Sequence, residues 1–153
     1  MEISIDDLSG YEIKKLLTEH LQDMFATSSA ESVHALDLTE LKKPDIIFWT
    51  AWETDQLLGC GALKSLGDQH GEIKSMRTTE AARGKGVASH LLQHIIQYAK
   101  QQNLSTLSLE TGTQDFFEPA RRLYQKHGFI ECSPFADYTL DPNSIYMTKF
   151  LTT

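Results

Sequence analysis

The residues with the most chemical potential form Arg83-Gly84-Lys85-Gly86-Val87-Ala88, which follows Glu72-Ile73-Lys74-Ser75-Met76-Arg77-Thr78 after the short turn Thr79 to Ala82. The upstream segment reads as a strand and the downstream one opens a helix, so two glycines and two cations sit at a strand-to-helix junction. The first turn of a helix leaves backbone N–H groups unpaired and carries the positive end of the helix dipole, which suits an anion. Glycine at positions 84 and 86 lets a phosphate approach the backbone closely. A phosphate or pyrophosphate ligand is the expectation; the plainer reading is that Arg83 and Lys85 only solvate a glycine-rich helix start, and a short glycine pattern does not choose between them. Three nucleotide motifs fail on spacing. No Lys follows Gly86 as a P-loop requires, and Ala88, Ser89 and His90 stand where a dinucleotide fingerprint needs a third glycine. A protein-kinase loop belongs to a much longer chain with further signatures.

Other reactive side chains carry less. His90 and His94 lie one helical turn apart, but no third ligand or H-E-x-x-H glutamate accompanies them, so no metal is expected. Cys60, between Gly59 and Gly61, reads as a small buried apolar residue, with a Cys–His nucleophile pair as the alternative. His34 precedes an Asp-containing turn and lies either at an acceptor pocket or on the surface. Trp49 and Trp52 serve equally well as core or as site walls.

The elements that must position these residues follow from periodicity. Ile3 and Ile5 alternate with polar neighbours as in a short strand. Ser9 is a candidate cap for a helix whose apolar stripe is Tyr11, Ile13, Leu16, Leu17, Leu21, Met24 and Phe25. A helical turn near Thr39 to Lys42 precedes Pro44, and Ile46 to Trp52 and Leu57 to Leu66 read as hairpin strands around Glu53-Thr54-Asp55-Gln56. Beyond the Gly67 to Gly71 turn, Glu72 to Thr78 lacks clean alternation, as a central strand would. Val87, Leu91, Leu92, Ile95, Ile96 and Ala99 then define an amphipathic helix. Leu104 to Leu109 is a strand, Pro119 suits the first turn of a helix, and Gly128 suits its left-handed C-cap. Strands at Phe129 to Glu131 and Ser144 to Phe150 complete the order β-α-(α)-β-β-β-α-β-α-β-β, an α/β (α+β) chain with a central mixed sheet.

Composition narrows the function. The 153 residues include 14 Lys and Arg against 21 Asp and Glu, a formal charge of -7, which argues against nucleic acid as a partner and supplies no polybasic membrane anchor. Yet no acidic residue lies between Glu80 and Glu110, where Arg83, Lys85 and Lys100 stand, so the anion site falls in the one locally cationic stretch. The acidic start, the lack of a long apolar run, and two cysteines, Cys60 and Cys132, lead to an expected cytoplasmic location with no membrane span. Without repeats or a linker, residues 1–153 are expected to form one domain.

Arg83-Gly84-Lys85-Gly86-Val87-Ala88 resembles the R/Q-x-x-G-x-G/A signature of the GNAT (Gcn5-related) N-acetyltransferases, and Ala120-Arg121-Arg122-Leu123-Tyr124-Gln125-Lys126-His127-Gly128-Phe129 resembles that family's A-x-x-L-Y-x-x-x-G-F segment. The two occur in the family's order, separated by one helix and one strand. Val33 to Leu38, Gly59 to Leu63 and Pro134 to Tyr138 further resemble a small bacterial subgroup of acetyltransferases, some with an indole-acetate label. The resemblance implies the GNAT acyl-CoA N-acyltransferase fold, a central twisted mixed β-sheet flanked by helices. It implies acetyl-CoA as co-substrate, bound by Arg83, Gly84, Lys85, Gly86, Val87 and Ala88, with backbone N–H groups of Met76, Arg77 and Thr78 facing the thioester. Pantetheine would pair with that strand edge, in a cleft between strands ending near Thr78 and Glu110. Tyr124 takes the role of general acid for the departing thiolate, or else only packs its helix against the sheet. Glu72 is the base, directly or through water, or else a carboxylate paired with Lys74; by alternation it shares a face with Lys74 and Met76. The acceptor is an amine of a small molecule or peptide, neutral or cationic given the acidic N-terminal half, entering past Thr27 to Pro44 and Ser133 to Ser144. The family also allows a homodimer through the final strand. A non-catalytic acyl-CoA-sensing module is the alternative function.

Overall fold

The computed structural model describes residues 1–27 and 38–151, the side chains of 24–27 excepted. His34 and residues 28–37 of the expected acceptor loop therefore lie outside the described residues. The elements are β1 (Glu2–Ile5), α1 (Tyr11–Thr27), α2 (Leu38–Leu41), β2 (Ile46–Glu53), β3 (Gln56–Gly67), β4 (His70–Thr78), α3 (Val87–Gln101), β5 (Thr106–Gly112), α4 (Glu118–Lys126), β6 (Ile130–Cys132) and β7 (Ser144–Phe150). The seven strands form one sheet in the order β1-β2-β3-β4-β5-β7-β6. Hairpin connections make β2, β3 and β4 antiparallel, whereas the α3 crossover returns the chain so that β5 runs parallel to β4.

Helices cover both faces. The expected stripe of α3, Val87, Leu91, Leu92, Ile95, Ile96 and Ala99, is buried with Trp49, Ile73, Leu107 and Leu109, and Tyr124 and Phe129 join the same cluster. On the other face Ile13 and Leu16 of α1 pack with Leu41, Phe48, Cys60 and Ala62. Pro119 occupies the first turn of α4, and Gly128 follows the helix at φ +93°. Two details of α1 differ from expectation. Ser9 Oγ donates to Asp7 Oδ1 at 2.6 Å instead of capping the helix, and Tyr11 is exposed because the stripe begins only at Ile13. The two tryptophans also part company: Trp49 is core, edge-on to Tyr98 at 5.2 Å, while Trp52 is half-buried and donates its indole N–H to Thr50 Oγ1 at 2.8 Å.

The centre of the sheet is interrupted in a way that creates the site. β4 pairs with β5 only from His70 to Ile73, opposite Thr106 to Leu109. Beyond that, β4 continues along β3 to Thr78 and β5 continues along β7 to Gly112, so the two strands diverge. A bulge accompanies the divergence: Lys74 pairs with Ala62 but Arg77 with Cys60, and Ser75 takes φ +56°. The extra residue inverts the alternation. Met76 turns to the α3 face, packing near Ile95, while Arg77 turns to the α1 face and ion-pairs with Asp23. Met76 therefore does not share the face of Glu72 and Lys74, as strict period-2 alternation had required. Gly61 makes this possible, because a Cβ there would sit 2.6 Å from the Met76 sulfur. Finally, β7 is not the edge of the sheet. It pairs with β5 along its length and with β6 at Tyr146 to Thr148, so strand addition at the last strand is obstructed there.

Candidate active site

The diverging strands open onto two cavities that share a wall. The larger, an open cleft of about 1390 Å³, is lined by Met76, Arg77 and Thr78 from β4, by Ala82, Arg83, Gly84, Gly86, Val87, Ala88 and Ser89 at the start of α3, and by one side of α4. Gly84 and Gly86 adopt φ +77° and +81°, a conformation that is costly for other residues, and Gly86 caps α3 without any side chain. The first helical hydrogen bond runs from the His90 N–H to the Gly86 carbonyl, so the amides of Val87, Ala88 and Ser89 are left to face the cleft. These amides, the dipole behind them and Arg83 fit a pyrophosphate. Of the residues expected at this site, only Lys85 turns elsewhere, lining a separate cavity with Glu53, Gln56 and His90.

The smaller, an open pocket of about 600 Å³, lies where the strands part and is lined by His20, Glu72, Lys74, Glu110, Thr111, Phe117, Tyr124 and Tyr138 among others. Its polar side chains are tightly organised. Glu72 is 3% exposed, and its Oε2 accepts from Lys74 Nζ at 2.9 Å and from the Tyr138 hydroxyl at 2.6 Å. Lys74 Nζ also donates to the Tyr138 oxygen at 2.8 Å, closing a triangle. Tyr138 reaches the site from the 133–143 loop, held by ring contacts with Phe135 at 5.1 Å and Tyr146 at 5.5 Å and by a hydrogen bond from the Tyr146 hydroxyl to the Thr139 carbonyl at 2.7 Å. Burial, reinforced by the Glu72 charge, pushes the Tyr138 phenol far above its ordinary value.

Glu110 stands differently. Ser144 Oγ donates to its Oε2 at 2.7 Å, yet burial outweighs that bond and the Lys74 charge, and its carboxyl is pushed up from 4.5 to about 7. Tyr124 lines both cavities, with its ring edge-on to Phe129 at 5.9 Å. Burial first, then the Glu110 charge, raise its phenol well above the usual range, so the hydroxyl keeps its proton at neutral pH. Met76, His20, Phe117 and Ala120 complete the wall common to both cavities. Gly112 lets Phe117 close in, since a Cβ there would stand 2.2 Å from its ring. Arg121 anchors α4 beside it by donating to the Gly112 and Gln114 carbonyls at 2.6 and 2.9 Å.

Structure thus brings Glu72, Met76 and Tyr124 to one place and Arg77, Thr78, Arg83, Gly84, Gly86, Val87 and Ala88 to the adjoining cleft. It does not bring Cys60 there: the thiol is fully buried, donates to the Ser75 carbonyl at 3.2 Å and is pushed up to about 12 by burial, which makes it inert as a nucleophile. Among the described residues, no group of His, Cys, Asp and Glu is placed to hold a metal; His90 instead bonds the Gly86 carbonyl through Nδ1 at 2.8 Å. Sequence reasoning missed Glu110, Tyr138 and His20. Glu110 was visible as the acid that ends the acid-free stretch and as the end of a strand bordering the cleft, and it is the single charged residue of β5.

Comparison with known proteins agrees with this geometry. The family model described as the acetyltransferase (GNAT) family matches residues 12–129. An uncharacterized N-acetyltransferase of Bacillus subtilis (strain 168), YsnE, is 56% identical over 99% of this chain and 100% of its own length. Another, YedL of Escherichia coli (strain K12), is 49% identical over 97% of this chain and 94% of its own. Among solved structures, a Bacillus subtilis acetyltransferase in complex with CoA superposes with a TM-score of 0.69 at 20% identity, covering 99% of both chains. A bare glycine-capped helix start beside diverging strands, and a family match across the segments that build both, lead to one conclusion: the chain belongs to the GNAT family of N-acetyltransferases.

Proposed function

We propose that the protein transfers an acetyl group directly from acetyl-CoA to an amine that enters the smaller cavity, with Tyr124 at the meeting point of the two cavities. The carrying observation is that one cavity is lined by pyrophosphate-compatible backbone and the other by acid–base side chains, with Tyr124 and Met76 in the wall between them. Acetyl-CoA supplies an activated acyl group on a thiol leaving group. The unpaired edge of β4 at Met76 to Thr78 supplies backbone N–H groups to the pantetheine arm and to the oxygen on which charge develops. As the amine nitrogen bonds to the acyl carbon, Glu110 takes its proton; as the carbon–sulfur bond breaks, Tyr124 gives a proton to the thiolate, and solvent returns one from Glu110 to Tyr124.

We assign the base to Glu110 over Glu72 because Glu72 is already engaged by both Lys74 and Tyr138, a cluster that fixes the cavity wall. Glu72 then acts on the amine only through water, and Lys74 offsets its charge. The balance of two carboxylates against one ammonium favours a neutral or cationic acceptor. No helix among the described residues is long and apolar enough to cross a membrane, and both cysteines are free, in keeping with work in a reducing cytoplasm.

The test is thiol release from acetyl-CoA against a panel of benzylamine, tryptamine, spermidine, glycine and glutamate. Turnover of an amine with product N-acetylated supports the reading, and preference for the amines lacking a carboxylate supports the acceptor class. Tight CoA binding without turnover of any amine would instead favour an acyl-CoA sensor.

A further inference from the structure

One buried polar atom in the wall between the cavities has no role in the scheme above. His20 lies on α1 and lines both cavities beside Met76 and Tyr124. It continues the buried stripe of Ile13 and Leu16 by one helical turn, and Asp23, three residues on, reaches Arg77. A stripe that is apolar deep in the core thus turns polar where it meets the site. His20 Nδ1 is buried and has no hydrogen-bond partner among the described residues. Burial, then the neighbouring Arg77 charge, lower its basicity to about 4 against a weaker opposing effect of Asp23, so the ring is uncharged at neutral pH. Leaving such an atom unpaired is costly, and a bound ligand that pairs with it recovers that cost.

Resting on the acetyl-transfer reading, we propose that His20 holds the acceptor: its buried Nδ1 accepts a hydrogen bond from the second N–H of a primary amine whose first N–H faces Glu110. An uncharged primary amine carries two N–H groups and one lone pair. With one N–H on Glu110 and the other on His20, the lone pair is left to attack the acyl carbon. No proton moves to His20 at any step. A secondary amine has one N–H and loses one of the two contacts, so His20 makes the enzyme selective for primary amines.

The experiment pairs benzylamine and tryptamine with their N-methyl derivatives and compares wild type, His20→Leu and His20→Asn. The Asn side-chain oxygen falls near the place of Nδ1. The expected result is that His20→Leu lowers kcat/KM for the primary amines ~10- to 100-fold. It should leave the secondary amines and the acetyl-CoA KM within about twofold, a change too small to register a lost hydrogen bond. His20→Asn should recover most of the loss. Retention of the pH–rate limb in His20→Leu is expected too, since the imidazole does not titrate in that range. An equal loss for primary and secondary amines, a raised acetyl-CoA KM, or disappearance of the pH limb would overturn the assignment. If His20→Leu fails to fold, His20→Asn and His20→Gln decide together, since the Gln amide falls near Nε2 and leaves the place of Nδ1 without an acceptor: a primary-to-secondary ratio kept by Asn and lowered by Gln supports a hydrogen-bond acceptor, and equal ratios in the two refute one. If the wild type turns over none of these amines, the acetyl-transfer reading for this cavity fails, and the His20 proposal with it. Turnover by the wild type with no His20 effect sinks only the latter.

Discussion

Glu110→Gln should make the protein slower and more stable at once. A carboxyl raised from 4.5 to about 7 is harder to ionise in the folded chain than in the unfolded one. At ~1.4 kcal/mol per unit, ionising it in place costs the fold on the order of 3 kcal/mol. The sign follows from proton binding: between the two values the native state holds the proton that the unfolded state has lost, so stability falls as pH rises through that interval. The cost is nearly absent below the unfolded value and complete above about 7. Glutamine keeps the shape and retains an oxygen for the Ser144 hydroxyl, now 2.7 Å from the carboxylate. Removing the charge should therefore stabilise the protein by ~2 kcal/mol more at pH 8 than at pH 5. For a chain of this size that is a difference of roughly 4–8 °C in Tm gain between the two pH values. The assay is thermal unfolding of both proteins across pH 5 to 8, alongside kcat/KM for the best amine of the panel. Activity at pH 8 should drop by ~10²- to 10⁴-fold, the usual contribution of a general base. The wild-type profile should rise through a limb near 7 that the variant lacks. A Tm difference that does not change with pH would refute the argument for a destabilising buried carboxylate. Full activity in the variant would refute Glu110 as base, and loss of the limb in Glu72→Gln instead would move that role to Glu72.

Three further substitutions probe the surrounding parts. Tyr124→Phe should lower kcat by ~10- to 100-fold while the acetyl-CoA KM stays near wild type, because a thiolate of pKa ~8.5 leaves with only modest help from an acid; stopped-flow thiol release against amine concentration reads this. Lys74→Met removes the cation from a Glu72 carboxylate whose side chain is 4% exposed, so a loss of ~3–5 kcal/mol in chemical denaturation is expected, with much of it regained in the Lys74→Met, Glu72→Gln double variant. Gly86→Ala forces a Cβ into φ +81°, costing ~1–2 kcal/mol, and should weaken CoA binding in calorimetry much more than it changes acceptor KM.

Local patterns carried much of the architecture. The α3 stripe, Pro119 at the start of α4 and Gly128 after it are short-range signals, and each element formed where its own residues prescribe it. Errors arose where one contact overrode a local rule: Asp7 captured the Ser9 hydroxyl, and the bulge at Ser75 exchanged the faces of Met76 and Arg77. A bulge is a disagreement between two strands, here Lys74 to Arg77 against Ala62 to Cys60, and neither strand alone records it.

The same division runs through the site. The glycines and cations between Arg83 and Ala88 raise an anion site as one of two readings of the sequence, because backbone N–H groups at a helix start need only the residues of that turn. What lies opposite was decided by folding. Glu110, Tyr138 and His20 come from β5, the 133–143 loop and α1, separated by up to 118 positions along the chain, and meet only because β4 and β5 part after Ile73. Their chemistry also belongs to the tertiary structure: a carboxyl shifted to about 7 and an imidazole shifted to about 4 are products of burial and neighbouring charge, and no residue carries those in its name.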